Sequence, residues 1–229
     1  PTPKDWAEVM AHIGHQGTCY SSAYGAVPHL LELARIQSKL DDPWFYANLG
    51  NIAEPAETIE PAPQDLKTEF EAAMAEAATR ALDAVVRQGR SVQDFVYLLE
   101  SAAALYHRRG PGIRLSGLIE NNLETYCPSC DSYLCPRVEE NRIDVIAEDE
   151  RCRPLSAPSQ VLARTIPDIT WDPRNQPEDD FSWLCAICLR AGQSKALTWI
   201  SYLYGKARCP TCNATFELMS QIENEAAME

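Results

Sequence analysis

Apolar residues recur at helical spacing through the first half of the chain. Between Ser21 and Leu40, Ala23, Val27, Leu30, Leu31 and Ala34 fall on one face, with Ser21 or Ser22 in the N-cap position. Pro28 inside this run predicts a kink or a second helix start. Pro43 to Ile52 is short and aromatic-rich, and residues 54–63 hold three prolines and read as a loop. The clearest pattern runs from Gln64 to Gln88, where Leu66, Phe70, Met74, Ala77, Ala81 and Val85 form one stripe and Gly89 fits the C′ position. Ser91-Val92-Gln93-Asp94 then has the form of a capping box. It opens a helix through Tyr106 that buries Phe95, Leu98, Leu99, Ala102 and Leu105, and Gly110 and Pro111 end it. Residues 112–125 predict one more helix. Antiparallel helix pairs joined by short Gly or Pro turns predict a mostly α fold, a HEAT-like α-solenoid or helical array, although no exact period is present and a compact bundle fits the same pattern.

After Tyr126 the pattern changes and cysteines cluster, which places a boundary between a helical domain at 1–125 and a zinc-ribbon region at 126–229. Residues 151–180 carry five prolines and several acids without sustained periodicity, and read as an acidic inserted loop or linker. Helical spacing returns over residues 181–204, at Leu184, Cys188, Ala191, Ala196, Ile200 and Leu203, with a break near Gly192. The tail from Glu217 to Glu229 predicts a frayed helix.

Composition narrows the class. The 229 residues suffice for one large domain or two small ones. No window approaches the ~20 apolar residues that span a bilayer, and Pro1 to Met10 shows no secretory pattern, so a soluble protein is expected, with no membrane partner. Six of the nine cysteines fall in three C-x-x-C pairs, a spacing that suits metal ligation in a reducing, cytoplasmic setting better than a disulfide scaffold. The net charge is −13, and the acidic excess is spread over both halves. Without a stripe of Lys and Arg, direct nucleic-acid binding is not expected, and an acidic surface suits solubility or a basic protein partner.

The three cysteine pairs differ in turn chemistry. A metal knuckle needs a tight turn that points backbone N–H groups at the first sulfur. Cys127-Pro128-Ser129-Cys130-Asp131 and Cys209-Pro210-Thr211-Cys212-Asn213 share that form, each with Pro after the first Cys and a residue tolerant of left-handed backbone after the second. Cys185-Ala186-Ile187-Cys188 has no turn residue and lies within a helical apolar pattern, as a small buried hydrophobe would. The expected ligands are therefore Cys127, Cys130, Cys209 and Cys212, holding one structural Zn2+ with no open position for catalysis. The rival set pairs Cys185 and Cys188 with Cys209 and Cys212, leaving the first knuckle redundant or joined with Cys135 and Cys152 in a second site. His12, His15 and Cys19 also stand close together, but Gly14 and Gly17 break helical register there, and an inter-helix turn is the expectation over a metal site or a Cys–His dyad.

The same region carries a resemblance. His15-Gln16-Gly17, followed by residues 21–34 (SSAYGAVPHLLELA), resembles the HQG…ASYAAVPHLVxLA signature of HEAT-like bacterial proteins associated with polymorphic toxin and contact-competition systems. Trp44-Phe45-Tyr46 is similar to a following aromatic element, and Tyr202-Leu203-Tyr204-Gly205 before Cys209-Pro210 is similar to the ending of longer members. Cys19 departs from the usual apolar residue at its position. The resemblance implies a cytosolic immunity protein that binds and neutralises a protein toxin, one that the acidic charge suggests is a basic nuclease-type domain. The acidic runs offered as contacts are Glu139 and Glu140, then Glu148, Asp149 and Glu150, then Glu178, Asp179 and Asp180. The alternative is a scaffold or regulatory adaptor with several protein partners. No Ser-His-Asp order, phosphate loop or open metal site points to an enzyme.

Overall fold

The computed structural model describes residues 8–9, 12–15, 18–37, 42–53, 63–106, 115–148, 153–173 and 175–226. The chain divides into two compact units, one of Pro1–Arg87 with Tyr97–Ile113, the other of Gln88–Val96 with Arg114–Glu229.

The first unit is built on helices. A two-residue ladder, β1 (Gly14–His15) with β2 (Thr18–Cys19), precedes α1 (Ser22–Ile36). Ala23, Val27, Leu30, Leu31 and Ala34 are buried, as their spacing predicts. α1 runs unbroken through Pro28, so no second start occurs there. Next come α2 (Pro43–Ala53) and α3 (Gln64–Val85). α3 buries Phe70, Ala77, Ala81 and Val85, but Leu66 in its first turn is exposed, and Ala73, Ala78 and Leu82 widen the stripe. α1 packs against α3, where Tyr24 meets Phe70 edge-to-face at 5.1 Å between ring centroids. α3 stops at Val85 with Val86 as its C-cap, short of the expected Gln88, so Gly89, with φ +88°, lies beyond the C′ position. α4 (Val92–Leu105) begins in the second unit and continues into the first; at its start Asp94 N–H donates to Ser91 Oγ at 3.1 Å, and that hydroxyl donates to the Asp94 carboxylate at 2.8 Å.

The second unit overturns the expected fold class. It is mixed α/β, organised by a four-stranded antiparallel sheet in the order β3-β4-β5-β6, so the chain is not a HEAT-like solenoid or helical array with a small appended ribbon. Between 112 and 125, the described residues form only a four-residue helix, α5 (Gly117–Glu120), and then enter β3 (Thr125–Tyr126). β4 (Tyr133–Val138) and β5 (Ile143–Ala147) form the central pair, with Leu134 opposite Ala147, Pro136 opposite Val145 and Val138 opposite Ile143. Ile143, Val145 and Ala147 are fully buried at two-residue spacing, the mark of a half-buried strand. Pro136 is tolerated through register. Glu139 N–H bonds Arg142 O and Glu148 N–H bonds Tyr133 O, so odd-numbered positions of β4 face β5. Pro136 thus turns its missing donor the other way, beyond the end of β3, where Val138 N–H is met by the Asn121 side chain at 2.8 Å.

The stretch expected to be a loop or linker is largely without regular structure, but it holds one short ordered strand. β6 (Ser159–Gln160) pairs with β5, and Val161 N–H continues the ladder to Ile143 O. Leu162 then forms a two-bond bridge to Lys206 in β7 (Lys206–Arg208), which pairs with β8 (Thr215–Glu217). Two helices, α6 (Asp180–Ala191) and α7 (Ser194–Leu203), supply the core of this unit with Trp183, Leu184, Ile187, Ile200 and Leu203. Burying each such side chain contributes roughly 1.5–3 kcal/mol. α6 is capped by Asp179, whose side chain accepts from Ser182 N–H at 3.0 Å, and it ends at Gly192 with φ +70°. A last helix, α8 (Leu218–Ala226), seats Leu218, Met219 and Ile222.

Candidate metal centre

Each knuckle is the turn of a hairpin, the first between β3 and β4 and the second between β7 and β8. The two turns have the same hydrogen bonds. Cys127 N–H donates to Ser132 O at 2.9 Å and Cys209 N–H to Ala214 O at 2.8 Å. Asp131 N–H returns to Cys127 O, and Asn213 N–H to Cys209 O, both at 2.9 Å. Closing so tight a turn forces the residue after the second cysteine into left-handed backbone, with φ +56° at Asp131 and +64° at Asn213. Asp and Asn accept that conformation better than most side chains. The amides of Ser129 and Thr211 then point at the first sulfur of their knuckle, at 3.5 and 3.4 Å.

The turns bring all four sulfurs within 4.8 Å of one another. Cys127 and Cys212 lie 3.6 Å apart and Cys130 and Cys209 3.8 Å apart, both across the two knuckles. Four thiolates around one ion at about 2.3 Å would stand ~3.8 Å apart, so the cluster already has the dimensions of a tetrahedral four-sulfur site. The first cysteine of each knuckle is buried and the second exposed. Burial pushes the Cys127 thiol up to about 12. The Ser132 hydroxyl, 3.2 Å from Cys130 Sγ, and the Ser132 amide hold Cys130 down at about 6. The Ala214 amide is the largest single influence on Cys212 and lowers it, but hydrogen bonding to Cys130 and burial together raise it.

Among the described residues this is the one cluster of three or more His, Cys, Asp or Glu side chains able to hold a metal ion. Cys185 and Cys188 lie inside α6 with no exposed surface, and burial raises both thiols. They are core residues of the helix, not members of the cluster. Cys135 points elsewhere, donating to the Glu148 carboxylate at 3.4 Å. Cys152 and the side chains of His15 and Cys19 lie outside the described residues.

The acidic positions divide. Glu139, Glu140, Glu178 and Asp179 are exposed, Asp179 being spent on the α6 cap, and Asp180 is half-buried. Glu148 is buried, 6% exposed, and pairs with Arg137 at 2.8 Å, so it is held inside the fold. Asp149 and Glu150 lie outside the described residues. Sequence reasoning missed the Cys135–Glu148–Arg137 group, whose signal is the alternation of Ile143, Val145 and Ala147 that places Glu148 at the end of a strand. Among the described residues, no helix is long and apolar enough to cross a membrane. Comparison with protein-family models, with curated proteins and with solved structures finds no match to this chain.

Proposed function

We propose that Cys127, Cys130, Cys209 and Cys212 hold one structural zinc ion, and that the chain is a non-catalytic, cytosolic binding protein for a basic protein partner. The observation that carries the metal reading is the pair of matched turns, which present four sulfurs at the spacing a tetrahedral tetrathiolate needs. A protein that fills all four positions leaves no place for water or substrate on the ion, which favours a staple over a catalyst. Zinc is favoured over a redox metal because it holds this geometry without changing oxidation state.

The partner reading rests on charge. A net charge of −13 steers a cationic partner and disfavours a phosphate backbone. The sequence resemblance makes that partner a toxin domain, and the exposed acids Glu139, Glu140 and Glu178 are the described positions best suited to meet it. Two measurements test the two halves. Elemental analysis of the purified chain should return one zinc and no iron per molecule; visible absorption typical of iron–thiolate charge transfer would overturn the zinc assignment. Co-expression with a cognate basic toxin domain should protect cells and yield a one-to-one complex that weakens as salt rises. Unabated killing by that toxin would remove the immunity reading and leave the metal centre standing.

A further inference from the structure

The two knuckles are far apart in sequence, yet they are not joined by metal alone. Residues 159–164 bond to the sheet, to the second hairpin and to α7 in succession. Val161 N–H reaches Ile143 O at 3.0 Å, Leu162 exchanges two hydrogen bonds with Lys206 at 2.9 Å, and Arg164 N–H reaches Ser201 O at 2.8 Å. Val161 is buried beneath this line, and the Arg164 guanidinium stacks over Phe181 at 4.4 Å. The Leu162 side chain is 69% exposed, so this residue works through its backbone.

Gly205 is what lets the strap approach. A Cβ on Gly205 would stand 2.1 Å from Leu162 O and 2.9 Å from Tyr202 O, both backbone atoms that cannot swing away. Gly205 N–H bonds Tyr202 O at 2.9 Å, and Gly205 O accepts from Leu218 N–H at 3.1 Å, so the same residue fixes the end of α7 and the start of α8. Four residues later the chain reaches Cys209.

We propose that residues 159–164 are a positioning strap that holds the second knuckle against the first before metal arrives, and that Gly205 is the positioning residue that sets their separation. The metal site is then assembled by the sheet and merely filled by the ion, unlike small zinc domains that fold only on binding. This builds on the metal reading above but is judged without metal.

The test is pulsed alkylation of the reduced, metal-free full chain, with each cysteine normalised to its own rate in urea and read by mass spectrometry. Cys127 and Cys209 should label at least tenfold more slowly than in urea, while Cys130 and Cys212 label freely. Cys185 and Cys188 in α6 report in the same sample whether the unit is folded. Gly205→Ala should expose Cys209 at least tenfold while Cys185 and Cys188 stay protected, and Leu162→Ala should change nothing. If Gly205→Ala unfolds the unit, Leu162→Pro, which removes one donor from the bridge, replaces it and should expose Cys209 selectively. Full reactivity of Cys209 in the metal-free wild type, or full protection of Cys209 in a folded strap variant, would overturn the proposal. Failure of the wild type to take up zinc would instead sink the metal reading alone.

Discussion

Arg137 and Glu148 meet at 2.8 Å along one face of the β4–β5 pair, with the Glu148 side chain 5% exposed and that of Arg137 34% exposed. The other Glu148 oxygen accepts from the Cys135 thiol. Removing one partner of such a pair leaves the other desolvated without compensation. Because Arg137 is about one-third exposed, its stranded charge can recover some water, and Glu148→Ala should cost about 2 kcal/mol. Urea denaturation reads this as a lowered midpoint; a change below about 0.5 kcal/mol, typical of a surface position, would show that the pair is solvated.

Cys127→Ser should abolish stoichiometric metal and lower the melting temperature of the metal-loaded chain. The loss of affinity should exceed the 10–100-fold that removal of a mere outer-shell partner costs. Cys185→Ala is the contrast. It removes a buried atom from α6 and should destabilise modestly, by about 1 kcal/mol, while metal content stays at one per chain. Equal metal loss in both variants would sink the ligand assignment.

Acid should release the metal. Cys127 and Cys212 have raised thiols and carry their protons at neutral pH in the metal-free site, so the ion must displace them on binding. Affinity therefore rises with pH. Below about 6 the Cys130 thiol also becomes protonated, and the fall in affinity should steepen there. A competition titration with a chromophoric chelator between pH 5 and 8 measures the slope. A flat profile would mean that the ion displaces no protons.

The left-handed turn positions make a backbone prediction. Asp131→Gly and Asn213→Gly should be tolerated, since glycine adopts φ near +60° freely. Asp131→Val should cost roughly 1–2 kcal/mol and weaken metal binding, because a β-branched side chain clashes in that conformation. Thermal melts with and without added zinc separate the two effects; equal stability of the Gly and Val variants would contradict the turn geometry.

The metal cluster was legible because its cause is local. Pro, a small polar residue and then Asp or Asn around a Cys pair specify a turn, and that chemistry separated residues 127–130 and 209–212 from Cys185 and Cys188 without any knowledge of the fold. The helix beginning at Ser91 was legible for the same reason, through its cap. The sheet was harder to see. Pro136 argues against a central strand until the register shows its nitrogen facing away from β5, and register is a long-range property. Ile143, Val145 and Ala147 alternate plainly, but over only five residues, between the acidic runs at Glu139–Glu140 and Glu148–Glu150. The strap has almost no sequence signal: Leu162 looks like a stray apolar residue and Gly205 like a helix stop, and their relation appears only when residues 43 positions apart come together. Glu148 reads as a surface acid in the sequence because a run of acids hides which one ends a strand.

Seen as a force path, an ion on these four cysteines would make the chain shorter than its sequence. Sulfurs 85 and 79 residues apart share one ion when it is loaded. Tension on the two ends would pass through the metal–sulfur bonds and bypass everything between the knuckles. A stretched molecule should therefore extend short by roughly 280 Å, at ~3.3 Å per residue for the enclosed loop, until the ion lets go. Chelation would restore that hidden length, which turns the presence of the metal into something a single-molecule pulling trace can read directly.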